Sequence, residues 1–156
     1  MQPTDDTPPA ALSGSPSWLV GQAGIYAQRL LNERMASGDA HRHQLSVLEV
    51  LKEFGSVSQA SIGRRCHLDR SDVAALVGEL EGAGHLVREP DPVDRRRNVV
   101  TITPGGTVRL AQLRQLASAA GDDLLEPLTA VERAQLTALL DRVVEHHTEL
   151  RGSAWA

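Results

Sequence analysis

The chain is poor in sulfur-bearing and aromatic side chains: its 156 residues include one cysteine, two Trp, one Tyr and one Phe. A lone cysteine, Cys66, closes no internal disulfide and builds no multi-cysteine zinc site, which excludes a disulfide-stapled scaffold and a zinc finger. With aromatics at 3%, the core has to come from Leu, Val, Ala and Ile, a composition that suits packed helices. No run approaches the roughly 20 apolar residues of a membrane span, and the start lacks the basic and apolar regions of a signal peptide. A cytoplasmic location without membrane association is expected. Catalytic constellations are missing too: no nucleophile beside a base, no phosphate-cradling glycine loop, no paired carboxylates at useful spacing. No enzyme activity, cofactor or metal site is expected. The histidines, among them His41, His43, His146 and His147, show no convergent ligand spacing.

Positive charge is scarce overall, at a net charge of −4, and phosphate contacts need local positive charge. Its distribution softens that objection. Lys and Arg against Asp and Glu number 4 and 6 over residues 1–54, 8 and 7 over 55–110, and 4 and 7 over 111–156. Only the middle stretch is net positive, and its basic residues are all Arg, whose planar fork fits phosphates and base edges, although an Arg-biased genome would give the same excess.

What is present is helical periodicity. Residues 1–16, rich in Pro, Asp, Thr and Ser, read as a disordered arm outside the core. From Trp18, Leu19, Ala23, Tyr26 and Leu30 recur at helical spacing beside a second stripe of Val20, Ala27, Leu31 and Met35. A second helix carries Leu45, Leu48, Leu51 and Phe54 and stops at Gly55. Ser58 caps a short helix to about Cys66, His67 and Leu68 make a turn, and Asp69 caps the next helix, whose face is Val73, Leu76, Val77 and Leu80. Residues 85–89 and 98–103 are β-prone runs around a polar segment with three consecutive arginines, which predicts a hairpin with a basic tip. Thr103-Pro104 starts a long helix, and the capping box Thr129 to Glu132 starts a last one with Leu136, Leu139, Leu140, Val143 and Val144 on one side. The order is α-α-α-α-β-β-α-α, mainly α with a small β-hairpin.

A helix-turn-helix followed at once by an arginine-tipped hairpin suits duplex DNA, because a helix fills a major groove about 12 Å wide while the hairpin reaches the flanking backbone or minor groove. The runs Leu68-Asp69-Arg70-Ser71, Leu80 to Val87, Asp91-Pro92-Val93-Asp94-Arg95-Arg96-Arg97 and Val100 to Gly106 resemble the MarR family. The resemblance covers residues 43–110 closely. It implies a winged helix-turn-helix domain over about 43–104, flanked by dimerisation helices over about 17–37 and 104–148 in a single domain, 17–156. It implies a regulator, expected to repress, that binds double-stranded DNA as a homodimer and answers to a small aromatic or anionic effector.

Site residues follow from the same resemblance. Arg95, Arg96 and Arg97 are placed at the wing tip for minor-groove or phosphate contact, while Asp94 is assigned to wing structure, since a carboxylate is repelled by phosphate. Arg70 and Ser71 open the recognition helix, with simple capping left open for Ser71. Arg64 and Arg65 either touch the backbone or are solvated. Asp72, Ala74, Ala75, Gly78 and Glu79 occupy outward positions, leaving few base-reading groups. The wing, thymine methyl contacts to Ala74 or Ala75, and DNA shape are then the expected readout. Trp18, Tyr26 and His43 are candidates to line an effector crevice, with core as their plainer role. Cys66, apolar in its surroundings, reads as core. The broad apolar faces of the first and last helices point to a two-fold dimer, with recognition helices about 34 Å apart on a pseudo-palindromic operator. The alternative is a winged-helix protein-interaction module with lost or weak DNA readout.

Overall fold

The computed structural model describes residues 8–95 and 98–153. Arg96 and Arg97, two of the expected wing-tip arginines, lie outside the described residues. The arm expected through residue 16 is not featureless: Pro9 precedes a helical turn, α1 (Ala10–Ser13). Ala-Ala-Leu is a strong helix-forming run and Pro9 presets the entry angle. None of the four residues of that turn is buried.

Helix α2 (Pro16–Ser37) has proline in its first turn, where no amide donor is required. Of its two apolar stripes only Met35 is fully buried, while Leu19, Val20, Ile25 and Tyr26 are 48%, 53%, 60% and 55% exposed. Helix α3 (Arg42–Phe54) sinks Val47, Leu48, Val50 and Leu51 into the core and ends at Gly55. There φ is +70° with ψ −143°, a conformation that favours glycine.

Next come β1 (Val57–Ser58), α4 (Gln59–Cys66) and α5 (Arg70–Gly82). Strands β2 (Leu86–Pro90) and β3 (Asn98–Ile102) form the expected hairpin, paired Leu86 with Ile102 through Pro90 with Asn98. The sheet has a third strand where two were expected. β1 pairs antiparallel with the other edge of β3, Val57 opposite Val100 and Ser58 opposite Val99, giving the order β1-β3-β2. Two residues carry too little alternation to read as a strand, and their partner lies more than forty residues ahead.

One apolar cluster joins these elements, with Leu48, Leu51, Ile62, Leu80, Leu86, Val100, Leu110 and Leu113 all essentially sealed from solvent. Helix α6 (Pro104–Leu124) is pinned at its start. The Thr103 hydroxyl accepts from Gly106 N at 2.9 Å and donates to Gly84 O at 2.7 Å, and Thr103 N donates to His85 O at 3.1 Å. The end of α5, the root of the wing and the start of α6 are thereby fixed to one another.

The chain forms two compact units, residues 1–121 and 122–156. The second holds α7 (Ala130–Ser153), opened by the capping box: Thr129 N donates to Glu132 Oε2 at 2.8 Å and Glu132 N to the Thr129 hydroxyl at 3.4 Å. Those hydrogen bonds hold the Glu132 carboxyl below its ordinary range. No described residue of α7 is buried, so its apolar side chains supply no core within that unit. Among the described residues no helix is long and apolar enough to cross a membrane.

Candidate nucleic-acid interface

The helix-turn-helix closes tightly because of what stands at its corner. His67 adopts the left-handed conformation, φ +53°, and Leu68 N donates to Gly63 O at 2.9 Å. A Cβ on Gly63 would sit 3.0 Å from Leu68 O, so glycine lets α4 and α5 meet this closely. Asp69 Oδ1 then caps α5, accepting from Asp72 N at 2.8 Å and from the Ser71 hydroxyl at 2.7 Å, which lowers its pKa. Ser71 thus supports the cap by donating to the Asp69 carboxylate.

Arg70, beside it, is exposed, and so is Arg64; neither has a hydrogen-bonding or charged partner among the described residues. Together with Gln59, Ala60, Gly63 and Val73 they line one open cavity of about 480 Å³ between α4 and α5. Arg65 is engaged: its guanidinium lies 3.6 Å over the Phe54 ring and its Nε donates to the Ser61 hydroxyl at 3.4 Å. Stacking of this kind restrains the side chain that the sequence left free to reach DNA. Ala74, Ala75 and Gly78 are exposed as expected.

Glu79 is exposed as expected, its side chain 53% accessible, yet its carboxylate is engaged. It turns back to the start of α3, where Gln44 Nε2 donates to Oε1 at 2.5 Å and His41 Nε2 lies 3.4 Å from Oε2. Gln44 is 5% exposed, a buried amide whose partner is this carboxylate. Two residues on, Glu81 takes the backbone N–H of Arg88 at 3.1 Å and its Nε–H at 2.9 Å, with a further contact to Nη2. The guanidinium holds the Glu81 carboxyl below its usual range. The recognition helix is thus tied to α3 by one carboxylate and to the wing by another. Sequence periodicity gave no sign of either tie, because both partners lie on other elements.

At the wing tip, Asp91 Oδ1 accepts from Val93 N at 2.8 Å and Asp94 N at 3.4 Å, a side-chain-capped turn that orders the loop. Asp94 is half-buried, and Arg95 is exposed at the edge of a groove with Ser56, Glu89, Asp91 and Val99. Asp91 is a structural residue the sequence reading passed over, although an Asx turn ahead of Pro92 is a legible signal.

With this geometry in view, likeness to known proteins becomes informative. The MarR family model matches residues 39–97, from the α2–α3 turn to the wing tip. MhqR, a transcriptional regulator of Bacillus subtilis, is 30% identical over 122 residues, spanning 75% of this chain and 83% of that one. The chain belongs to the MarR family. A cysteine-to-serine mutant of Escherichia coli MarR has the same fold, with a TM-score of 0.76 at 27% identity over 83% of this chain and 96% of that one. That mutant is also known in complex with operator DNA, and the likeness there is 0.68 at 27% identity, over 81% and 91% of the two chains. PcaV of Streptomyces coelicolor, solved with its natural ligand, gives 0.69 at 28% identity over 89% of this chain and 98% of that one. The first curated relatives are spanned over only 57% to 65% of their own length.

In this MarR-family chain the expected effector residues stand apart from the cavities described. Trp18 and His43 are half-buried and Tyr26 is 55% exposed, and none of the three lines a cavity named here. Burial and the neighbouring Arg42 push the His43 imidazole below its ordinary value. Cys66 packs against the core cluster, and burial raises its thiol pKa, which disfavours the reactive thiolate.

Proposed function

We propose that the chain is a cytoplasmic transcriptional repressor that binds double-stranded DNA as a homodimer and is released by a small-molecule effector. The carrying observation is the pair Arg64 and Arg70, exposed and without a partner among the described residues, at the mouth of the helix-turn-helix beside the bare face of Ala74, Ala75 and Gly78. Guanidinium groups at the start of α5 meet phosphates or guanine edges, and small side chains behind them let α5 sit deep in the major groove. Arg95, with Arg96 and Arg97 beside it in sequence, extends the basic surface to the wing. The operator complex of the similar E. coli protein supports the same docking mode. Repression is the simplest outcome, because a dimer seated on promoter DNA occludes it without further contacts.

The test is a gel shift of the full chain on the DNA upstream of its own operon across a salt series. A salt-sensitive, sequence-selective complex is expected, with a steep fall of log K against log salt. Salt-insensitive or absent binding together with retention of a protein partner would instead establish the interaction-module reading, which the net charge of −4 favours.

Dimerisation is proposed from the apolar surface that one chain leaves uncovered: Val131, Leu139, Val143, Val144 and Leu150 on α7 are 66%, 57%, 53%, 63% and 53% exposed, and α2 shows Leu19, Val20, Ile25 and Tyr26. Placing a charge there is incompatible with burial against a second copy. Val143→Asp is expected to shift the chain from dimer to monomer in light scattering at micromolar concentration. A variant that stays dimeric would move the interface elsewhere.

A further inference from the structure

Among the described residues Gln44 is the one polar side chain buried in the core of the first unit. Sealing an amide from water is costly unless it is hydrogen-bonded, and its partner lies on the recognition helix: Nε2 donates to Glu79 Oε1 at 2.5 Å. His41 Nε2 stands 3.4 Å from the other carboxylate oxygen. Helix α3 has neither a side-chain cap nor an acidic residue in its first turn, so the Glu79 carboxylate also supplies the negative charge that a helix start favours. The far end of this tie is itself held. Arg109 of α6 donates from Nη2 to the carbonyls of Gly38 and Asp39 at 2.9 and 3.0 Å, which steadies the turn from which α3 starts.

The rest of the seat of α5 is apolar. Val73, Leu76, Val77 and Leu80 face the core, and apolar contact has no direction of its own, so it resists a small roll of the helix about its axis only weakly. A hydrogen bond has a direction, and it weakens steeply when its angle is lost. Roll matters at the exposed face, which carries Arg70, Ala74, Ala75 and Gly78. Turning α5 by about 20° carries a side-chain tip about 5 Å from the axis sideways by roughly 2 Å, enough to take a donor out of reach of a base edge.

We infer that Gln44 is a positioning residue for DNA recognition: through Glu79 it sets the roll of α5 in the major groove, and so governs discrimination between sequences while leaving the attraction to phosphates unchanged. The division follows from what each contact demands. Phosphates are met by charge, which tolerates small displacements, whereas base edges are met by hydrogen bonds and close contacts that do not. A hydrogen bond of this kind adds little net stability, and its value here is that it selects one arrangement of two packed helices. The inference rests on the DNA-binding reading.

The test compares the affinity of the full chain for the DNA upstream of its own operon with its affinity for a scrambled fragment of the same length and composition, at one salt concentration. Glu79→Gln and Glu79→Ala remove the same charge from an exposed position, but only glutamine still offers an oxygen to Gln44. Glu79→Gln is expected to keep the ratio of the two affinities within about twofold of the parent, and Glu79→Ala to lower it about tenfold. Gln44→Met, similar in volume but without the donor, is expected to lower it as far, and the two substitutions together no further, since they remove one interaction. Affinity for the scrambled fragment and its salt slope are expected to match in the two Glu79 variants. A merely structural role would move urea stability and leave the ratio alone. Should Gln44→Met fail to fold, the two exposed Glu79 variants carry the test. A ratio unchanged in Glu79→Ala, or lowered as far in Glu79→Gln, overturns the inference alone. A parent that binds the two fragments equally, or neither, defeats the DNA-binding reading and the inference with it.

Discussion

Gly106→Ala is expected to destabilise the first unit by about 3 kcal/mol, lowering the melting temperature by roughly 6 to 12 °C at this chain length. A Cβ at this position would lie 1.9 Å from His85 O and 2.8 Å from Ile102 Cγ1. The carbonyl cannot retreat cheaply, because Thr103 N donates to it at 3.1 Å and the Thr103 hydroxyl in turn receives Gly106 N. Relief of the clash therefore costs either the cap of α6 or the packing of Ile102. Gly78→Ala provides the opposite sign. Its Cβ would meet nothing within 4 Å on an exposed helical face, so helix propensity alone predicts a gain of about 0.5 to 1 kcal/mol. Urea unfolding of the two variants checks both, and a Gly106→Ala chain as stable as the parent would contradict the close approach described.

The second large effect is expected for Arg64→Ala combined with Arg70→Ala. A dimer would lose four phosphate-facing charges, which lowers the magnitude of the salt slope by roughly 3 to 4 and the affinity by about 1,000-fold near 0.1 M salt. Arg65→Ala should do much less to binding, since that guanidinium is already stacked on Phe54. Circular dichroism of the double variant is expected to match the parent, because neither arginine has a partner among the described residues. An unchanged slope would mean that the phosphates are met elsewhere, and the wing arginines would be the next to replace.

Much of this architecture was legible because its signals are local. Ser58, Asp69, Thr103 and the Thr129–Glu132 pair cap helices through residues three positions ahead, and each cap forms as the spacing implies. The buried face Val73, Leu76, Val77 and Leu80 follows from helical periodicity. What escaped reading depends on partners distant along the chain. Glu79 is outward as periodicity implies, but its hydrogen bond to Gln44, 35 residues earlier, gave no local signal. β1 is too short to announce itself and exists because β3 has a free edge. Arg109 resembled any helix-surface arginine until the α2–α3 turn brought two carbonyls to it from 70 and 71 residues away. Among the candidate DNA-contacting residues, Arg64 and Arg65 read alike in sequence and differ because Phe54 stands beneath one of them.

The two carboxylates on α5 bear on how a complex would form. Glu79 is held by Gln44 and Glu81 by Arg88, so the recognition helix is fastened along both flanks before any DNA arrives. Little conformational entropy is left to surrender on docking, and little adjustment is available to a poorly matched site. In the proposed DNA complex the compliant partner would then be the duplex. Its sequence-dependent stiffness becomes a term in recognition, so two sites offering identical base edges would be told apart by how readily each bends and twists to meet an unyielding reader.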